Sequence, residues 1–295
     1  MAPLSFIVNR NAIFLKILST IYFPTAAENT PSKKVFQIQA KGLITKLQHG
    51  ESVMSVQVYI PTDGLSPPLV ITACNDSKIM VWDLSSGQIK FEFMDENHVD
   101  WMMAVGVYAP HDSTSLPPMV IAGCYDGTAL VYDLNTGKKI RDLEDEHTDF
   151  IAAIAVYVPP RGDPSPPWVV TASADRSAIV WNLKTGDVMY KLKGEHTDVL
   201  SSVAIYLPPR KTPTMPFVPV ILTGSDDESV VVWDIKGEKK ILTITDLTQD
   251  IGCMYAIAVY AAPDGSSEPI VITGNDGGQV LMWDLATGVL LRSLK

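Results

Sequence analysis

His49, His98, His147 and His196 stand 49 residues apart, and three of the four lead a recurring set of reactive side chains. A threonine, then an aspartate four residues on, then a tryptophan six further, give His49, Thr72, Asp76 and Trp82 in one copy. The same spacing gives His147, Thr171, Asp175 and Trp181, and again His196, Thr223, Asp227 and Trp233. Imidazole, hydroxyl and carboxylate within reach of one another are the parts of a nucleophilic hydrolase. Their threefold recurrence argues the other way, because catalysis needs one site. Two further copies are incomplete. The second has His98 and Asp126 but Ala122 and Tyr132; the fifth has Asp250 in place of His and Gly277 in place of the turn Asp, and keeps Thr273 and Trp283. These two copies are expected to be the less rigid.

Other chemistry finds no residues to carry it. The chain has no HExxH, no GxSxG and no phosphate loop. Three cysteines exclude a disulfide-stapled scaffold, and none has the spacing of a structural zinc site. Cys74 and Cys124 fall at equivalent positions and read as small core-strand residues. The acidic runs Asp95–Glu96 and Glu144–Asp145–Glu146 lack the oxygen spacing of a calcium loop and read as solvated charge. No catalytic residue, cofactor or metal is expected.

The elements that position the repeated residues are strands. Ten residues after each histidine comes a tyrosine (Tyr59, Tyr108, Tyr157, Tyr206), with Tyr260 in the fifth copy. Trp82, Tyr132, Trp181, Trp233 and Trp283 follow, each before Asp or Asn, and each copy closes on a turn glycine: Gly87, Gly137, Gly186, Gly237 and Gly288. Between these marks lie four short strand-like runs per copy, such as IAAIAVY, WVVTAS, SAIVWNL and DVMYKL in the third. Four antiparallel strands per roughly 50 residues, repeated, is the pattern of a β-propeller.

These residues resemble the WD-repeat (WD40) β-propeller family. The resemblance covers residues 42–295 and rests on five tandem copies, at about 42–91, 92–140, 141–190, 191–242 and 243–295. It implies an all-β WD40-type propeller with five recognisable four-stranded blades and an N-terminal partial blade. It also implies that Trp N–H, Thr hydroxyl, His ring and turn Asp form a buried structural chain of hydrogen bonds, stabilising when every member is satisfied. The copies are longer than the usual ~40–45 residues. The excess is a loop after each first strand, and 18 of the 21 prolines fall in these five loops. Proline lacks an amide donor and fixes φ, so the loops stay stiff and outside the ladder.

Length and charge bound the function. The 295 residues are 46% hydrophobic and 19% charged, which provides a core and excludes wholesale disorder. A net charge of −10 argues against nucleic acid, which needs a basic footprint. Residues 1–50 carry +5 and the remainder −15. Within 1–32, an apolar, basic segment reads as a targeting sequence, as packing on the main domain, or as a mis-set start; Arg10 and Lys16 interrupt it, which disfavours a membrane span. Residues 33–47 resemble the third and fourth strands of an upstream repeat, and a partial sixth blade would close the ring; an open ring would instead favour self-association. The expected location is the cytoplasm, or an organelle or the exterior if residues 1–27 are a presequence.

The resemblance implies a non-enzymatic scaffold that binds a protein or peptide through loops on the narrower face. Carried over by position, its contact residues are Ser52, Trp101, Phe150, Val199 and Cys253; Met54, Met103, Ala152, Ser201 and Tyr255; and Asn75, Tyr125, Ala174, Asp226 and Asp276. Trp101, Met103, Tyr125, Phe150 and Tyr255 stand out as anchors, although some could equally fill the channel mouth. Flanking acids (Asp95, Glu96, Asp100, Glu144, Glu146, Asp149, Glu195, Asp198) suit a basic partner. Two other readings stay open: a propeller binding a small ligand in its channel, and a fragment of a larger multidomain protein.

Overall fold

A computed structural model describes residues 15–18, 34–40, 43–49, 51–61, 63, 65–111, 116–208, 219–235, 239–246, 251–262 and 267–294. Gly237, Asp250, most of the fourth proline loop, and residues 1–14 and 19–33 of the N-terminal segment lie outside them. The described residues form strands and turns, and among them no helix is long and apolar enough to cross a membrane.

Five four-stranded antiparallel sheets run in chain order. The first holds β4 (Val53–Tyr59), β5 (Leu69–Cys74), β6 (Ile79–Asp83) and β7 (Ile89–Phe93). The second holds β8 (Met102–Tyr108), β9 (Met119–Cys124), β10 (Ala129–Asp133) and β11 (Lys139–Leu143). β12 (Ile151–Tyr157), β13 (Trp168–Ser173), β14 (Ala178–Asn182) and β15 (Val188–Leu192) make the third. β16 (Leu200–Tyr206), β17 (Val220–Ser225), β18 (Val230–Asp234) and β19 (Lys239–Ile244) make the fourth. The fifth comprises β20 (Met254–Tyr260), β21 (Ile270–Asn275), β22 (Val280–Asp284) and β23 (Leu290–Leu294). This is the blade arrangement of a WD40-type propeller. A sixth, three-stranded sheet joins β1 (Leu15–Leu18), β2 (Lys34–Ala40) and β3 (Leu43–His49) in that order.

Residue type explains the burial gradient within a sheet. β5, β9, β13 and β17 are unbroken runs of apolar or small residues and are buried at every position. Strands covered on both faces need such runs rather than alternation. The fourth strands, richer in Lys, Arg and Glu, are exposed or half-buried until their last residue (Phe93, Leu143, Leu192, Ile244) turns inward. Every first strand carries a register shift near its start, as between Ile151 and Ala153, which bends the chain where it enters the sheet.

The chain divides into two compact units, Met1–Cys124 with Tyr132–Lys139, and Tyr125–Val131 with Ile140–Lys295. In the first unit, Leu47 of β3 is buried against Val70, Met80 and Trp82 of the first four-stranded sheet and Leu84 just after β6. Phe93 and Tyr132 stack there with centroids 4.4 Å apart. A Cβ at Gly137 would come within 2.7 Å of the Phe91 ring, so this turn needs glycine for proximity as well as for its φ of 72°. In the second unit, consecutive sheets interlock: Val231 and Trp233 of β18 pack with Val170, Val180 and Leu192 of the preceding sheet. The fifth sheet is more open. Tyr260 is 53% exposed where its counterpart Tyr206 is 7%.

Each sheet has two functional ends. The residues that follow each histidine and the turns between second and third strands share one end. The proline loops and the glycine turns share the other, as antiparallel alternation requires.

Candidate functional site

The turn between β13 and β14 shows how one copy is tied. Trp181 Nε1 donates to Thr171 Oγ1 at 2.9 Å, and Thr171 Oγ1 lies 2.8 Å from His147 Nε2. His147 Nδ1 lies 2.8 Å from Asp175 Oδ2, which also accepts the Thr148 amide at 3.1 Å. Because a carboxylate only accepts, Nδ1–H donates to Asp175, and that tautomer leaves Nε2 to accept from the Thr171 hydroxyl. The fourth copy repeats this: Trp233 to Thr223 at 2.8 Å, Thr223 to His196 at 2.8 Å, His196 to Asp227 at 3.0 Å. Thr171 and Thr223 are fully buried, so neither hydroxyl faces solvent.

Serines that spacing did not single out complete these networks. Ser177 Oγ donates to Asp175 Oδ1 at 2.6 Å, and Ser229 Oγ to Asp227 Oδ1 at 2.6 Å. Ser173 and Ser225 donate back to the carbonyls of Asp149 and Asp198 at 2.9 and 3.1 Å. The recurring Asp-x-Ser of the turn (Asp175–Ser177, Asp227–Ser229) was the available signal.

In the first copy Trp82 donates to Thr72 at 3.0 Å, and Thr72 lies 3.0 Å from His49 Nε2. The thiol of Cys74 then lies 2.9 Å from His49 Nδ1, and Asp76 accepts the Lys78 amide at 3.3 Å. Cys74 is therefore a polar member of the network, not merely a small core residue. Burial lowers the His49 pKa against the opposing charge of Asp76, and burial with that same charge pushes the Cys74 thiol up. A neutral thiol on a neutral ring is inert. The fifth copy substitutes a different solution: Trp283 donates to Thr273 at 3.0 Å, while Asp276 accepts the Cys253 amide at 3.1 Å. Asn275 accepts the Gln279 amide at 2.8 Å and donates to the Ile251 carbonyl. In the second copy Asp126 accepts the Thr128 amide at 2.8 Å.

Burial raises the Asp175 and Asp227 carboxyls, but hydrogen bonds from His147 and Ser177, and from His196 and Ser229, outweigh it and bring both to about 2. A depressed carboxyl stabilises the fold above its unfolded pKa of about 4 and loses that contribution as pH falls through the folded value. The acid limb of unfolding is therefore expected to steepen between about pH 4 and 2. Paired substitution Asp175→Asn with Asp227→Asn should lower stability at pH 7 and flatten that limb, measured by urea titration at each pH. An unchanged slope would remove these carboxylates from the network.

The loop residues divide between the units. In the first, Trp101 is 48% exposed, and Met54, Met103 and Asn75 are half-buried. In the second, Tyr125 (42% exposed) stacks on Phe150 with centroids 5.3 Å apart, and Tyr255 is 52% exposed. Three of the flanking acids are neutralised locally: Asp95 by Lys139, Glu146 by Lys191 and Glu195 by Lys240. In the second unit, acidic groups also gather around Asp226. Burial and the charges of Asp198, Asp276 and Asp227 push its carboxyl up, against a hydrogen bond from Ser201. Tyr255 is pushed up to about 12 by burial and by Cys253, Asp226 and Asp276.

The family model described as WD domain, G-beta repeat, matches residues 42–83, within the first copy, and 137–182, from the end of the second copy through most of the third. No curated protein matches the chain. Among solved structures it is similar to the computationally designed Ika8 protein, at 21% identity and a TM-score of 0.60, over 88% of this chain and 71% of that one. It is also similar to U3-55K, at 19% identity and a TM-score of 0.63, over 84% of this chain and 65% of that one. At these identities the likeness is one of fold.

Proposed function

Since WD40 repeats are detected in this chain, we propose that it is a scaffold binding a basic protein or peptide segment through the loops at the His and turn-Asp end of its sheets. WD40 propeller domains are characteristically non-catalytic scaffolds, and an all-β repeat of this kind is consistent with that role. The observation that carries the finer reading is the pairing of Tyr255, half-exposed, with the mutually repelling carboxylates of Asp198, Asp226 and Asp276. An added cation relieves that repulsion, while the aromatic ring supplies area at little entropic loss. The exposed Trp101 and the Tyr125–Phe150 stack extend the set of anchors in their own units. The hydrogen-bonded turns keep these loops pre-organised, which lowers the ordering cost of binding. In the same reading the β1–β3 sheet is a partial blade, since Leu47 covers the first copy as one blade covers another.

A random peptide library tested against the full chain provides the check. Retained peptides are expected to be rich in Lys and Arg, to bind more weakly as salt rises, and to lose at least tenfold in affinity with Tyr255→Ala combined with Asp226→Asn. Binders without basic residues, or affinities indifferent to those two substitutions, would refute the assignment.

A further inference from the structure

At the other end of the sheets lie the proline loops, which neither the buried networks nor the proposed binding loops use. Within the first unit, the loops of the first two copies enclose a cleft of about 740 Å³. Tyr59 and the buried Leu69 and Leu134 line its depth, and Pro61, Pro67, Pro110 and Pro117 line its sides. Proline has no N–H, so these walls present ring carbons and carbonyl acceptors without matching backbone donors. Two carboxylates, Asp63 and Asp83, join the lining.

Both carboxylates are held in place. Asp63 accepts the Leu65 and Ser66 amides at 3.0 Å each and the Ser66 hydroxyl at 2.5 Å. Hydrogen bonds from the Ser66 hydroxyl and amide and from the Leu65 amide hold its pKa below the usual carboxylate range. Asp83 Oδ1 accepts the Ser85 and Ser86 amides at 2.8 and 2.9 Å. Each carboxylate has about four lone-pair sites and so retains acceptor capacity beyond these bonds. Lys90 brings a positive charge to the lining, but its ammonium lies 5.4 Å from the centroid of the Phe91 ring.

We infer that this cleft is a second binding site, separate from the His-end loops, and that it takes an arginine side chain of a partner peptide. A cleft that sets proline and leucine carbons beside carboxylate and carbonyl acceptors, with a net negative lining, matches a group having a long aliphatic stem and only donors at its tip. The stem lies along proline and leucine carbons. The guanidinium offers five donors and no acceptor, and its plane can lie against Tyr59. Asp63 and Asp83 outnumber Lys90 in the lining, so a carboxylate or phosphate would meet a net like charge, and a neutral amide would bring no charge to match it. The third copy shows why the site is local: the counterpart of Leu69 is Trp168, whose ring stacks on Tyr157 with centroids 4.5 Å apart and occupies that corner.

The test is an NMR titration of the full chain with a blocked Gly-Arg-Gly tripeptide, against Gly-Gln-Gly. Saturable shifts are expected at the amides of Ser66, Leu69 and Asn135 with the arginine peptide, and none with the glutamine peptide. The double substitution Asp63→Asn with Asp83→Asn should weaken binding at least tenfold. The fold tolerates an amide at the second position: Asn182, at the equivalent turn, accepts the Lys184 and Thr185 amides at 2.9 and 3.4 Å. Shifts absent from the cleft, confined to the neighbourhood of Tyr255, equal for both peptides, or unchanged in the double variant would each overturn the site. The reading of the His-end loops stands or falls separately, because its substitutions lie at the opposite strand ends.

Discussion

Trp181→Ala should reduce the unfolding free energy by about 3–5 kcal/mol, the range for deleting a buried aromatic from a core that cannot collapse around it. Trp181 is 3% exposed, and its indole donates to Thr171. Loss of the ring therefore removes apolar contact and a donor together, at the second and third strands of one sheet. Trp168→Ala is an informative comparison, because that ring is equally buried but stacks on Tyr157 near a proline loop and lies outside the network. Chemical denaturation should rank Trp181→Ala as the more damaging of the two. A loss no greater than that of an exposed substitution such as Thr185→Ala would remove Trp181 from the network.

Thr223→Val should cost about 2–4 kcal/mol although it changes almost no volume. The hydroxyl it removes accepts from Trp233 at 2.8 Å and meets His196 Nε2 at 2.8 Å. Valine leaves both buried groups without a partner, and each orphan costs about 1–3 kcal/mol. Thr223→Ser, which keeps the oxygen, should recover most of the loss. If valine were tolerated as well as serine, the chain of hydrogen bonds would be geometric coincidence rather than a source of stability. Calorimetry of the three proteins decides between these outcomes.

Much of the fold was legible because two periods reinforce each other. The 49-residue spacing of the histidines sets the copy, and runs such as IAAIAVY and WVVTAS set strands within it; β12 and β13 span those residues. The meeting of Trp181, Thr171 and His147 then follows from register. Val169 opposes Trp181 and Ile154 opposes Thr171, which fixes which side chains share a face. Other features depend on neighbours that spacing does not reveal. Cys74 reads as a core thiol until the imidazole of His49 is found beside it. Asp95, Glu146 and Glu195 read as free acids until their lysines, 44 or 45 residues later, are found alongside. The cleft under the proline loops depends on side-chain volume at one position per copy, Leu69 against Trp168, and no pattern of polarity encodes that.

The turn between second and third strands puts one residue at positive φ in every copy: Ser77, Gly127, Arg176, Glu228 and Gly278, between 63° and 89°. The copies in which Thr, His and Trp are joined hold a non-glycine residue there, each strained by about 1–2 kcal/mol. The two without that linkage hold glycine. The strained turn and the network are thus expected to be coupled: Arg176→Gly should reduce the cost of His147→Ala, measured by chemical denaturation of the two single variants and the double variant.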